Sequence, residues 1–185
     1  MRLLIMGPPG AGKGTQATKI AEDFGIAHIS TGDLFRANLS QGTALGVEAK
    51  KYMDAGEYVP DSVTNDMVRD RLTHDDAAAG FLLDGYPRTV AQVTELDEML
   101  GTNKLDKVLV LTADTDEVVS RLLNRAQKQG RSDDTEDVIR RRLEVYEEQT
   151  APLIDLYSSR GILVSVNGLG SIDEVAQRIN AVLNV

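Results

Sequence analysis

The chain has no cysteine and no tryptophan, and its only histidines are His28 and His74. Disulfides, thiolate zinc sites and thiol catalysis are therefore excluded, and a histidine-based metal site or triad is disfavoured. Aromatics are scarce, with 3 Phe and 5 Tyr in 185 residues, so the core must be mostly aliphatic. Positive charge is in deficit: 20 Lys and Arg stand against 29 Asp and Glu, a net −9. A polyanion partner needs a broad basic face, so no nucleic-acid partner is expected, and any local arginine cluster becomes more informative. No apolar run approaches membrane-spanning length. The first apolar run begins almost at once, without a charged leader. A cytoplasmic protein with no membrane partner is the expectation. The length fits one compact domain with small insertions. A monomer is expected, since no apolar interface helix stands out.

What is present is organised around Gly7-Pro8-Pro9-Gly10-Ala11-Gly12-Lys13-Gly14-Thr15-Gln16. This stretch follows the apolar run Leu3-Leu4-Ile5-Met6 and leads into a helical pattern. Strand, glycine-rich loop and helix in that order are the context of a phosphate-binding loop. Glycines let backbone N–H groups turn inward on a phosphate, and the helix N-terminus adds partial positive charge. Lys13 would reach the outer phosphates of a nucleotide. The hydroxyl that commonly follows the lysine directly is displaced by one place, from Gly14 to Thr15.

Further along, Phe81-Leu82-Leu83-Asp84 is a second buried strand ending in a carboxylate. Downstream of a phosphate loop, that is the position expected near the magnesium ion on a nucleotide. Lys107–Leu111 and Ile162–Val166 read as further strands, and Ile26–Ile29 as a short one. Helices are expected between them: from Gly12 to Phe24, two short ones after Ser30, and one through Leu72 with Asp61 as its N-cap. Others are expected over Thr89–Leu100 and Asp116–Arg125. A polar loop over Ala126–Asp134 follows, then a long helix from Thr135 broken or kinked at Pro152. A final helix should turn Ile172, Val175, Ala176, Ile179 and Val182 inward. Alternating strands and helices predict an α/β fold of three layers: a P-loop NTPase-type parallel five-stranded sheet flanked by helices. A small helical insertion and a short lid loop interrupt it. The ligand belongs beyond the carboxyl ends of the strands.

The set formed by Gly7–Gln16, Thr31-Gly32-Asp33 with Arg36, Asp84-Gly85-Tyr86-Pro87-Arg88 with Gln92, and Gly130-Arg131-Ser132-Asp133-Asp134 closely resembles the adenylate kinases. The spacing is compatible from the first strand to the last helix. With so short a loop between Arg125 and Asp134, the chain is similar to the short-lid form, which carries no structural zinc. The resemblance implies ATP + AMP ⇌ 2 ADP, with Mg²⁺ bound alongside ATP, and ATP, AMP and ADP as the small-molecule partners. It also implies a core of residues 1–29, 60–123 and 135–185, a monophosphate-binding insertion of residues 30–59, and a lid of residues 124–134.

Roles follow residue by residue from that resemblance. Gly10, Ala11, Gly12, Lys13, Gly14 and Thr15 should hold the ATP phosphates, and Gly170 should offer backbone contact to the ATP base. Thr31, Arg36, the segment Glu57-Tyr58-Val59, Gly85, Tyr86, Pro87, Arg88 and Gln92 should hold AMP. Glu57 is expected to act through its backbone. Arg88 would grip the AMP phosphate. Arg121, Arg125, Arg131 and Arg142 would join Lys13 and Arg88 in catalysis, Arg125 on the ATP side and Arg131 and Arg142 also towards AMP. Asp33 and Asp84 would orient waters on Mg²⁺. Asp133 and Asp134 are read either as helix-start carboxylates or as polar contacts of a closed lid. Arg140 and Arg141 are expected to face solvent, and His28 is assigned no role.

Phosphoryl transfer spreads negative charge over equatorial oxygens, so catalysis is mainly positioning and electrostatic stabilisation. Arginine suits this because its planar fork binds phosphate oxygens in pairs. No general base is needed, because a phosphate monoester is largely a dianion at neutral pH. Three alternatives stay open on sequence alone: a kinase for UMP or CMP, a non-catalytic adenine-nucleotide sensor, and a P-loop switch acting on water.

Overall fold

The structure is a computed structural model that describes residues 1–184. Its five strands form one wholly parallel sheet in the order β2-β3-β1-β4-β5. They are β1 (Arg2–Met6), β2 (Ala27–Ser30), β3 (Phe81–Asp84), β4 (Lys107–Thr112) and β5 (Leu163–Asn167). A parallel sheet is covered on both faces, which is why its central strands read as unbroken apolar runs. In β1, Leu4 and Met6 enter one core with Leu83, Val108 and Val110, while Leu3 and Ile5 enter the opposite core with Leu82, Leu109 and Leu111. The three-layer α/β reading therefore holds.

Among the described residues, ten α-helices connect and cover the strands. Helix α1 (Lys13–Phe24) starts directly from the phosphate loop, and Gly25 ends it in the left-handed conformation. Helices α2 (Thr31–Ser40) and α3 (Ala44–Asp54) follow β2 as the expected helical insertion. They share a small core of Phe35, Ala49 and Val59. The two helices cross at Gly46, where a Cβ would lie 2.3 Å from the backbone of Asn38 and Leu39. Helix α4 (Asp61–Leu72) leads through the short α5 (Asp75–Ala78), which the sequence reading missed, to β3. Then come α6 (Val90–Leu100), α7 (Thr115–Gln129), α8 (Glu136–Val145), α9 (Pro152–Ser159) and α10 (Ile172–Leu183).

Four local expectations are corrected. Helix α7 continues to Gln129, so the expected loop from Ala126 shrinks to the six residues 130–135. Residues 126–129 are good helix formers with too little apolar pattern to be seen as a helix. Asp61 is the first residue of α4 rather than its cap, a place taken by Pro60. The helix crossing Pro152 is not sharply broken. A π-helical turn, Tyr146–Thr150, joins α8 to α9, and Pro152 sits in the first turn of α9, where its missing N–H costs nothing. Ile172 is 54% exposed, because the inward stripe of α10 is Val175, Ile179 and Leu183.

Candidate functional site

All five strands end at the same edge of the sheet, and the expected site residues follow those ends. The loop after β1 carries Lys13, β2 runs into Thr31 and Asp33, β3 ends on Asp84, and β5 turns through Gly168 to Gly170. A cavity there is lined by Lys13, Thr31, Arg36, Gln92, Arg88 and Arg142, among others. A second crevice, between the insertion and the 130–135 loop, is lined by Arg36 and Arg131.

The phosphate loop owes its path to glycine. Gly10 has φ +84°, and a Cβ there would sit 2.8 Å from the Val118 carbonyl oxygen of α7. Neither the dihedral nor the space admits a side chain. Lys13 folds back over the loop, its Nζ donating to the carbonyls of Gly7 at 2.8 Å and Pro8 at 3.0 Å. Burial pushes the Lys13 ammonium down to about 7. Asp84 opposes that shift, and Arg88, Arg142 and Arg125 add to it. Those three arginines are thus near enough to be felt at Lys13, although they come from β3's turn, α7 and α8.

The turn after β3 is built around the Gly85 carbonyl. It accepts from Arg88 Nε at 2.7 Å and from the Thr31 hydroxyl at 2.9 Å. Gly85 has φ +84°, and a Cβ would meet Thr31 Oγ1 at 2.7 Å and Arg88 Nη2 at 2.8 Å. Only glycine allows that guanidinium its place. The Arg88 guanidinium also lies over the Tyr58 ring, 5.1 Å from its centroid. Pro87 lines the cavity after a cis Tyr86–Pro87 bond, whereas Tyr86 is fully buried behind it and donates to Asn65.

Gln92, only 2% exposed, has both ends of its amide engaged. Its Oε1 accepts from the Arg88 N–H at 2.7 Å, and its Nε2 donates to Asp61 Oδ1 at 2.8 Å. A carboxylate accepts only, so Asp61 fixes which way the amide faces. Asp61 also accepts from the Thr89 hydroxyl, the cap of α6. This carboxylate, read from sequence as a helix cap, orients a site residue instead.

Arg125 and Arg142 converge on Asp134. Arg125 donates through Nε and Nη2 to its two carboxylate oxygens, each at 2.6 Å, and Arg142 Nη1 donates to Oδ1 at 2.9 Å. Burial works to raise the Asp134 pKa, but the two guanidiniums, with Arg131 nearby, hold it below the usual carboxylate range. Asp133 backs the clasp, its carbonyl accepting from Arg142 at 3.2 Å. The Arg131 side chain makes no hydrogen bond among the described residues and feels Arg36 and Arg125; burial lowers its pKa. Arg36 is paired with Asp33 at 2.6 Å. Arg121 lies apart from this group, donating to Glu117 at 3.0 Å and to the Gly168 carbonyl at 3.1 Å, with Gly12 beside it. Gly170, at φ +115°, is exposed on the same turn.

The insertion touches the 130–135 loop and α8. Ser132 Oγ donates to Asp54 Oδ1 at 2.8 Å, and Arg141 Nε donates to Glu57 Oε1 at 2.5 Å. Arg141 is therefore an inter-segment partner as well as the solvent-facing residue expected, its side chain 38% exposed, and the Glu57 carboxylate at the cavity is paired with it.

The donor set suits a magnesium ion that arrives on a nucleotide. No cluster of three or more His, Cys, Asp or Glu able to hold a metal occurs among the described residues. Asp84 is buried at the loop, and its carboxylate accepts no hydrogen bond among the described residues. His28 Nε2, itself without a hydrogen-bond partner, lies 3.5 Å from it. A lone carboxylate with free lone pairs fits an ion that keeps most of its waters.

A family model described as adenylate kinase matches residues 5–162. The adenylate kinase of Kocuria rhizophila is 67% identical over 184 residues, covering 98% of each chain. That of a Nocardioides species is 65% identical over 187 residues, covering 100% of this chain and 98% of the relative. That of Thermobifida fusca is 57% identical over 180 residues, covering 96% and 95%. With the phosphate loop at the centre of a parallel sheet and arginines from three segments gathered beside it, the chain belongs to the adenylate kinase family.

Proposed function

We propose that the protein transfers a phosphoryl group reversibly from ATP to AMP, giving two ADP. The observation that carries this reading is the convergence of Lys13, Arg88, Arg125 and Arg142 on one centre in a protein of net charge −9. Such concentrated positive charge is unfavourable in the free protein and suits a reaction whose transition state spreads charge over phosphate oxygens. The loop from Gly10 to Thr15 and Gly170 would hold the donor, with Arg121 beside it. Thr31, Arg36, Val59, Gly85, Arg88 and Gln92 would hold the acceptor, with Arg131 and Arg142 bridging to it. Asp84, and Asp33 from the insertion side, would orient waters on Mg²⁺. When bound with ATP, that ion neutralises charge on the phosphates. Residues 30–59 and 124–134 would close over the two nucleotides and exclude water.

The test is ADP production from ATP across a panel of nucleoside monophosphates. AMP should be the preferred acceptor. A clear preference for CMP or UMP, or no turnover with any acceptor, would overturn the reading.

Lys13 supplies a second prediction. A polyphosphate placed beside it favours the charged ammonium, so ATP binding should take up a proton. With the free-state value at about 7, the lysine is mostly neutral at pH 8. Affinity should therefore be greatest below pH 7 and fall with rising pH, by up to about tenfold per unit while one proton is taken up. Calorimetry at pH 8, in buffers of different ionisation enthalpy, should register close to one proton gained per ATP. No uptake would contradict the placement of Lys13.

A further inference from the structure

The π-helical turn between α8 and α9 holds a buried polar residue that neither the sequence motifs nor the roles above use. Thr150 is the last residue of that turn and is 5% exposed, while Glu147, Glu148 and Gln149 before it face solvent. The turn is closed by the Ala151 N–H donating to the Tyr146 carbonyl at 2.8 Å, one residue more than an α-turn spans. Such insertions re-aim side chains, and here both Tyr146 and Thr150 line the main cavity.

Thr150 Oγ1 donates to the Arg88 carbonyl at 2.8 Å and lies 2.6 Å from the Tyr58 hydroxyl. A threonine has one proton to give. Since the carbonyl takes it, the Tyr58 hydroxyl must be the donor of the second bond. A directed chain results, from Tyr58 O–H to Thr150 O–H to the Arg88 carbonyl. The Tyr58 ring meanwhile lies under the Arg88 guanidinium. Tyr58 of the insertion is therefore fastened to Arg88 twice, at its guanidinium through the ring and at its backbone through Thr150.

We propose that Thr150 is a positioning residue for the acceptor phosphate. It fixes Arg88 in the orientation that grips the phosphate and couples that orientation to the seating of the insertion through Tyr58. The proposal rests on the reading of Arg88 as the acceptor's phosphate ligand. Thr150→Val keeps the shape and removes the hydroxyl. The Arg88 carbonyl and the Tyr58 hydroxyl then lose their partner, the backbone under Arg88 gains freedom, and the phosphate is gripped less well.

The experiment is steady-state kinetics with each nucleotide varied in turn, on the wild type, Thr150→Val, Thr150→Ser and Tyr58→Phe. Thr150→Val should raise KM for AMP about tenfold, the scale of one buried hydrogen bond, and lower kcat several-fold, with KM for ATP changed less than twofold. Thr150→Ser, which keeps the chain, should recover most of the loss. Tyr58→Phe should shift KM for AMP in the same direction, and combining it with Thr150→Val should add little, since both break one chain. If Thr150→Val instead raised both KM values alike, if serine failed to rescue, or if the two changes were simply additive, Thr150 would be a packing residue and the proposal would fail. Should Thr150→Val not fold, the serine and Tyr58→Phe variants still decide. The wild type run alongside reports separately on the reaction: if it turned over with CMP or UMP alone, the proposed function would fail whatever the variants did.

Discussion

Arg88→Ala is expected to lower kcat for transfer to AMP by about two to three orders of magnitude, equivalent to about 3 kcal/mol of transition-state stabilisation. KM for ATP should change little, since Arg88 lies on the insertion side, over Tyr58. The size follows from what surrounds the guanidinium. Its Nε is tied to the Gly85 carbonyl and its plane is backed by the Tyr58 ring, while the backbone N–H of Arg88 is held by Gln92. A group so restrained needs no reorganisation when charge develops beside it. Arg88→Lys should rescue poorly. An ammonium carries the charge but has neither the fork for two phosphate oxygens nor the plane to lie on Tyr58. The variant should fold normally, because the residue is partly exposed and its removal leaves no buried charge behind. Near-normal turnover in a folded Arg88→Ala protein would show that the acceptor phosphate sits elsewhere.

The parts of this site that were legible in the sequence are those fixed by the local path of the chain. Leu3–Met6 and Phe81–Leu83 are apolar on both faces because the sheet is covered on both faces, and the residues just beyond them must emerge at its edge. Lys13 and Asp84 are legible in that way, whereas Thr31 and Arg88 rest on the resemblance of the motifs that contain them. Long-range hydrogen bonding left no such mark. Asp61 reaches Gln92 across 31 residues, and Thr150 reaches Arg88 across 62. Each looks locally like a helix-start or helix-end polar residue. The one hint for Thr150 was Pro152, whose missing N–H requires an irregularity in the helix before it. That irregularity was read as a break rather than as a turn that aims a side chain. The partner of Arg141 was hidden for a related reason. Beside Arg140 and Arg142 it looks like one of a solvated run, and only the approach of the insertion gives it Glu57 as a partner.

Asp134→Ala should be the most destabilising single change in the site. The Asp134 side chain is 0% exposed and accepts from Arg125 and Arg142 together. Removing it leaves two guanidiniums close to each other, and to Lys13 and Arg88, without their shared counter-charge. Loss of one partner from a buried charge cluster costs about 3–5 kcal/mol, which in a chain of this size lowers Tm by roughly 10 °C. Asp134→Asn keeps the shape but not the charge and should fall between. The pH dependence has a definite sign. The folded-state pKa of Asp134 is depressed, so its stabilisation is complete above the unfolded carboxylate value of about 3.9 and disappears only as pH falls through the lower folded value. On the proposed reading this carboxylate would stand in for the phosphates in the free protein: it holds two arginines together, and their remaining N–H groups would be left for the ligand. Nucleotides should therefore raise the Tm of Asp134→Ala more than that of the wild type, because incoming phosphates supply the missing negative charge. Thermal unfolding with and without saturating ADP measures this directly. Equal shifts in the two proteins would mean that Arg125 and Arg142 do not reach the bound phosphates.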